Sequence, residues 1–228
     1  MPQFILAFPL TKNVGEPLAL TETVTLAADA QSVIVPGCSV MFKVIRKERV
    51  PGLADIFKEH QDISADAAAA IEAHKSLLFL LGEVKNIEEV TQVNMAILKV
   101  FNAGALGVYM QQCGAAWTDA GFREELGDGE YPMDPWINFV EAGETIYTLG
   151  LATFMLPDLC IAASAEDPQE ALLMAADSLF GDGVPAKSGS EVDLGEGVHY
   201  VLRQEAKNPF PKESPEYNKQ GIFRLIKR

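Results

Sequence analysis

Three cysteines, three histidines and a run of carboxylates carry most of the reactive chemistry available to this chain. Cys113 follows an apolar segment that ends at Met110 and precedes Gly114, a strand-end position of the kind where sites assemble. With an imidazole brought near by folding, its thiolate would be a nucleophile. A lone cysteine is by default a small buried hydrophobe, which is also the reading for Cys38 and Cys160. His60, His74 and His199 stand apart from one another. His74, between a helical and an extended segment, suits a bond to a helix-end carbonyl better than a ligand role. Glu124, Glu125, Asp128 and Glu130 could supply acid–base catalysis, but their glycine-containing surroundings read as a solvated acidic loop. Trp117, Tyr131 and Trp136 flank that loop. They are the candidate ligand-binding residues, placed to line a cleft between two halves of the chain.

The stronger signatures are silent. The chain has no glycine-rich phosphate loop, no dinucleotide fingerprint and no nucleophile elbow. No paired cysteines or histidines have metal-ligand spacing, and Asp128 and Asp182 lack the alternating oxygen ligands of a calcium loop. The sequence therefore calls for no metal and no cofactor, and Cys113 is its sole catalytic candidate.

Those residues must be positioned by elements that the hydrophobic pattern predicts. Phe4 to Phe8 reads as a buried strand, Thr21 to Leu26 as a weaker one, and Val33 to Ile45 as a hairpin turning at Pro36-Gly37. Leu53 to His60 and Ala65 to His74 read as helices, the second capped by Ser64. Lys75 to Leu81 is an unbroken apolar run, hence a central strand. The stripe Ile87, Val90, Asn94, Ile97, Leu98 and Phe101 marks a helix, and Ala105 to Met110 a further strand. Together these three elements form a βαβ unit. Asp119 to Leu126 reads as a short helix and the stretch from Gly127 to Pro132 as a linker. Beyond it come a hairpin of Trp136 to Val140 with Thr145 to Thr148, a strand at Leu159 to Ala162, and a helix over Pro168 to Phe180. A second hairpin turns at Gly195-Glu196-Gly197, and Ile222 to Ile226 could add a last strand. The fold class is α+β, helices packed on mixed β-sheets, in two sub-domains or one two-part domain. Its parts are an N-terminal half at 1–126, a C-terminal half at 132–205 and a basic tail at 206–228.

The 228 residues are 48 % hydrophobic, 22 % charged and 8 % aromatic, values of an ordinary globular chain long enough for a substantial core. The longest strongly apolar run, Leu77 to Leu81, is far below the ~20 residues of a spanning helix. The apolar start lacks basic residues before Lys12 and reads as a strand rather than a signal peptide. Three cysteines suit a reducing compartment, so the expectation is a soluble, cytoplasmic protein without a membrane role. The net charge of −14 excludes nucleic acid as the main partner. That charge is uneven: residues 100–202 hold two basic and seventeen acidic side chains, and residues 203–228 hold seven basic and three acidic. Such an acidic section offers a surface to a basic protein partner, and the basic tail could fold back onto it.

Short motifs add a resemblance. Tyr147-Thr148-Leu149-Gly150-Leu151, then Phe154 and Leu156-Pro157-Asp158-Leu159, resemble a bacterial family known as domain of unknown function 4261. Val50-Pro51-Gly52-Leu53, His74 with the strand after it, Gly104 to Tyr109, and Trp136 to Phe139 match further family steps over roughly residues 40–205. Two departures stand out: Met155 where the family has glycine, and Asp158 where it has glutamate. The resemblance implies a fold and, through families that sit beside toxin–immunity systems, an immunity-like binding role. The expectation is thus a non-enzymatic binding protein using an acidic surface. The alternative is a small-molecule-binding protein or enzyme with its site in the cleft between halves.

Overall fold

A strand built wholly of apolar residues has no face to give to water, so it needs neighbours on both edges and cover on both sides. Phe4–Leu10 (β1) meets that description, every residue but Ile5 being buried. The computed structural model describes residues 3–195, 197–214 and 216–228. After β1 come a small ribbon, Leu18–Ala19 (β2) with Thr25–Leu26 (β3), and a hairpin, Ser32–Ile34 (β4) with Met41–Glu48 (β5). Leu53–His60 (α1), Ala65–Glu72 (α2), Ser76–Gly82 (β6), Ile87–Asn102 (α3), Val108–Met110 (β7), Ala116–Trp117 (β8) and Asp119–Leu126 (α4) follow. Side chains close the helix starts: Ser64 accepts from the Ala67 N–H, Asn86 from Glu89 and Thr118 from Gly121.

These strands form one six-stranded antiparallel sheet in the order β4-β5-β6-β1-β7-β8. The register sets Leu6 opposite both Leu80 and Met110, and Phe8 opposite Leu78. Leu6 and Phe8 therefore share a face with Leu78 and Leu80, and α3 covers it: the Phe101 ring meets Phe8 edge-on at 6.3 Å and passes the contact to Phe122 at 5.8 Å. On the opposite face α1 and α2 pack Leu53, Phe57 and Ile71 against Leu77, Phe79 and Tyr109.

Two of these elements differ from what the hydrophobic pattern predicts. The β6-α3-β7 unit is split: both strands run antiparallel to β1, which lies between them. The most completely apolar strand takes the middle of the sheet. The strand expected at Thr21 to Leu26 shrinks to Thr25–Leu26 because the Thr21 hydroxyl accepts from the Val24 N–H at 3.0 Å and closes a turn.

The chain divides into two units, through Pro135 and from Trp136. The second contains Asn138–Ala142 (β9), Thr145–Leu149 (β10), a 3-10 turn at Leu151–Phe154, Asp158–Ala162 (β11), Pro168–Phe180 (α5), Glu191–Asp193 (β12), His199–Gln204 (β13) and Ile222–Lys227 (β14). Their sheet runs β12-β13-β14-β11-β10-β9, with β11 and β14 its parallel pair. Trp136 lies in a 3-10 turn with Asp134 and Pro135 rather than in the strand expected from 136, since Pro135 has no N–H for a ladder. The 206–228 segment belongs to this unit and supplies β14 to the interior of its sheet. The turn expected at Gly195-Glu196-Gly197 includes Glu196, which lies outside the described residues. The fold is α+β with two sheet regions. Among the described residues, no helix is long and apolar enough to cross a membrane.

Gly107 tests the packing of α1 on the first sheet. A Cβ there would lie 2.4 Å from Cε1 of Phe57 and 2.9 Å from the Trp117 carbonyl oxygen. Gly107→Ala is expected to lower stability by about 1–3 kcal/mol in denaturant unfolding. An unchanged midpoint would show that Phe57 does not press on this point.

Candidate functional site

A concavity lies in the second unit, where the start of α5 faces the β12–β13 hairpin. The helix begins awkwardly. Asp167 precedes it in a left-handed conformation, φ 41°, which aspartate tolerates better than most residues, and Pro168 occupies the first turn. This start projects Glu166, Asp167 and Glu170 onto one rim of a groove of about 480 Å³. Met174, Val198 and Tyr200 form an apolar floor. The facing turn is held by the Asp193 carboxylate, which accepts from the Gly195 N–H at 2.9 Å, and by Val198 N–H donating to the Gly195 carbonyl at 2.8 Å. A volume of this size fits a small ligand or a few side chains of a partner.

Lys227 reaches this rim from β14, its ammonium 3.6 Å from the Glu166 carboxylate. The next residue, Arg228, pairs with Glu191. Basic side chains of the 206–228 segment thus do lie on the acidic section. His199 Nδ1 also sits 3.6 Å from Asp193.

At the other end of β11 is a feature that composition alone could not expose. Asp158 is 2 % exposed. Its Oδ1 accepts from the Leu151 N–H at 3.3 Å and from the Thr148 hydroxyl at 3.4 Å. The Asn218 amide donates to the neighbouring Leu156 carbonyl at 2.9 Å. Burial pushes the Asp158 carboxyl up to about 7, against the opposing pull of these donors. One side chain thereby joins the end of β10 to the 3-10 corner. The visible signal was an acid inside the apolar run Leu156 to Ile161.

The residues singled out from sequence have the following surroundings. Cys113 is buried; its thiol donates to the Met110 carbonyl, and burial pushes it up to about 12. Burial likewise raises the Cys38 thiol, and takes Cys160 to about 12, so these settings oppose a thiolate. Trp117 donates its indole N–H to the Pro135 carbonyl at 2.9 Å and meets the His60 ring edge-on at 4.4 Å. Tyr131 is partly exposed, and Trp136 packs edge-on against Phe154 at 6.3 Å within the second unit. His74 is buried, with Nδ1 2.7 Å from the Ile71 carbonyl at the end of α2 and Nε2 accepting from the Val50 N–H at 3.2 Å. Both ring nitrogens are thus spent on the backbone. Glu124 and Glu125 are exposed on the last turn of α4, and in the turn beyond it the Glu130 N–H donates to the Asp128 carboxylate at 3.0 Å.

Asp158 makes a signed prediction. Its folded value lies above the ordinary 3.8, so its stabilising share is full below 3.8 and is lost as pH rises through about 7. Asp158→Asn keeps an acceptor for Leu151 and Thr148 while removing that titration. Urea unfolding should show the parent losing stability across this window by up to about 1.4 kcal/mol per pH unit more than the variant. Parallel pH profiles would place the carboxyl in water. Comparison of the chain with protein families, with curated proteins and with solved structures finds no match.

Proposed function

We propose that this protein acts by holding a partner rather than by making or breaking covalent bonds, and that the groove beside α5 receives a basic, partly apolar segment of that partner. The carrying observation is the arrangement of Glu166, Asp167 and Glu170 above a floor of Met174, Val198 and Tyr200. Carboxylates supply steering and orientation, and the apolar floor supplies burial. The Lys227–Glu166 contact is an internal instance of the interaction a partner lysine would make. A reducing, cytoplasmic setting fits three cysteines that are all buried.

The resemblance to the bacterial family of unknown function supports the same reading by association, as an immunity-like binding role. One structural detail agrees with it. Met155, standing where that family has glycine, has φ 58°, the conformation glycine favours.

Calorimetric titration with a lysine-rich amphipathic peptide tests the proposal. Micromolar binding is expected, weakening as salt rises from about 50 to about 200 mM. The Glu166→Gln, Glu170→Gln double variant should bind about tenfold more weakly. Equal binding by parent and variant, or equal binding of a glutamate-rich counterpart, would remove the groove from the function.

A further inference from the structure

We infer that the uncovered part of the first sheet is a docking surface for an amphipathic helix with acidic flanks, supplied by a partner protein. The surface lies on the other unit from the groove and has the opposite electrostatic sign. On β5 the alternation puts Met41, Lys43, Ile45 and Lys47 on the same sheet face as Leu77 and Phe79 of β6, the face that α1 and α2 cover farther along. That cover stops short of the β4–β5 edge. Ile34 and Met41, opposite each other in register, are 53 % and 63 % exposed, and Leu81 beside Lys43 is only half-buried. A hollow of about 580 Å³ opens there, lined by Met41, Lys43 and Leu81 and bounded by Glu83.

Size and charge together select the occupant. From β4 to β6 is two strand spacings, about 10 Å, which is the width of one helix. The same face already takes two helices, so a third would extend an existing layer. Lys43 and Lys47 stand exposed along the strip, and the Lys47 ammonium lies 5.5 Å from the Phe79 ring centroid. In a chain of net charge −14 this is a local reversal of sign, favouring glutamates or aspartates flanking a partner's apolar stripe. A second copy laid face to face would set lysines against lysines. Addition of a strand along β4 would gain only the three residues of that strand.

The test uses the full chain and two fluorescein-labelled helical peptides with the same leucine stripe, one flanked by glutamate and one by lysine. Anisotropy should show saturable micromolar binding of the glutamate peptide, at least about tenfold weaker for Ile34→Asp, Met41→Asp. Both positions are exposed, so that variant should keep the parent's circular dichroism and melting temperature. The Lys43→Glu, Lys47→Glu variant, a second readout that leaves the apolar residues in place, should lose the preference for the glutamate peptide. No saturable binding of the glutamate peptide would overturn the inference, as would equal binding by the Asp variant or preference for glutamate retained without the lysines. Two further results overturn it by naming another occupant: dimers in sedimentation that the Asp variant abolishes, or tighter capture by phosphatidylserine vesicles than by the peptide. Failure here leaves the lysine-peptide titration of the α5 groove untouched, since the two surfaces answer to peptides of opposite charge.

Discussion

The first unit is organised by the need to hide both sides of β1 and β6. Strand β1 presents Leu6 and Phe8 to one layer and Ala7 to the other, so no single layer of helices suffices. Helix α3, sixteen residues long, spans one face, whereas α1 and α2 have eight residues each and reach about 12 Å apiece at the usual rise of a helix. Cover on the second face therefore runs out before the sheet does. The exposed Ile34 and Met41 are the remainder of that mismatch between sheet width and helix length.

Charge is distributed on a different logic. Along the chain the acidic residues concentrate at 100–202, yet by unit the first has ten basic against eighteen acidic side chains and the second eight against fourteen. The concentration is relieved in space because β14 returns Lys227 and Arg228 to Glu166 and Glu191. Exposed pairs of this kind add little to stability. Their effect is to set the local field at the start of α5, where Glu166, Asp167 and Glu170 outnumber Lys227.

Helices were the most legible part of the sequence because their signals are local. Leu53–His60, Asp119–Leu126 and Pro168–Phe180 have the bounds that caps, prolines and apolar stripes imply. Sheet order was not legible, because β1 enters between β6 and β7 through contacts far apart in the chain. The groove was hidden for the same reason: Glu166, Val198 and Lys227 meet only after β13 and β14 have paired. Histidine and cysteine drew notice by type, but burial decides their chemistry, and burial is a property of the assembled core. Asp158 was the reverse, an ordinary residue type made unusual by its position.

The parallel contact of β11 with β14 also sets the loop-closure cost of the second unit. β9 with β10 and β12 with β13 are hairpins whose ends meet across a few residues, so each closes a short loop. Asp158 must instead find Ile222, with both α5 and the second hairpin strung between them. The loop-closure entropy of that encounter falls on a single step. Local hairpins alone would leave this sheet in two parts, and the pairing of greatest separation along the chain is the one that joins it at its middle.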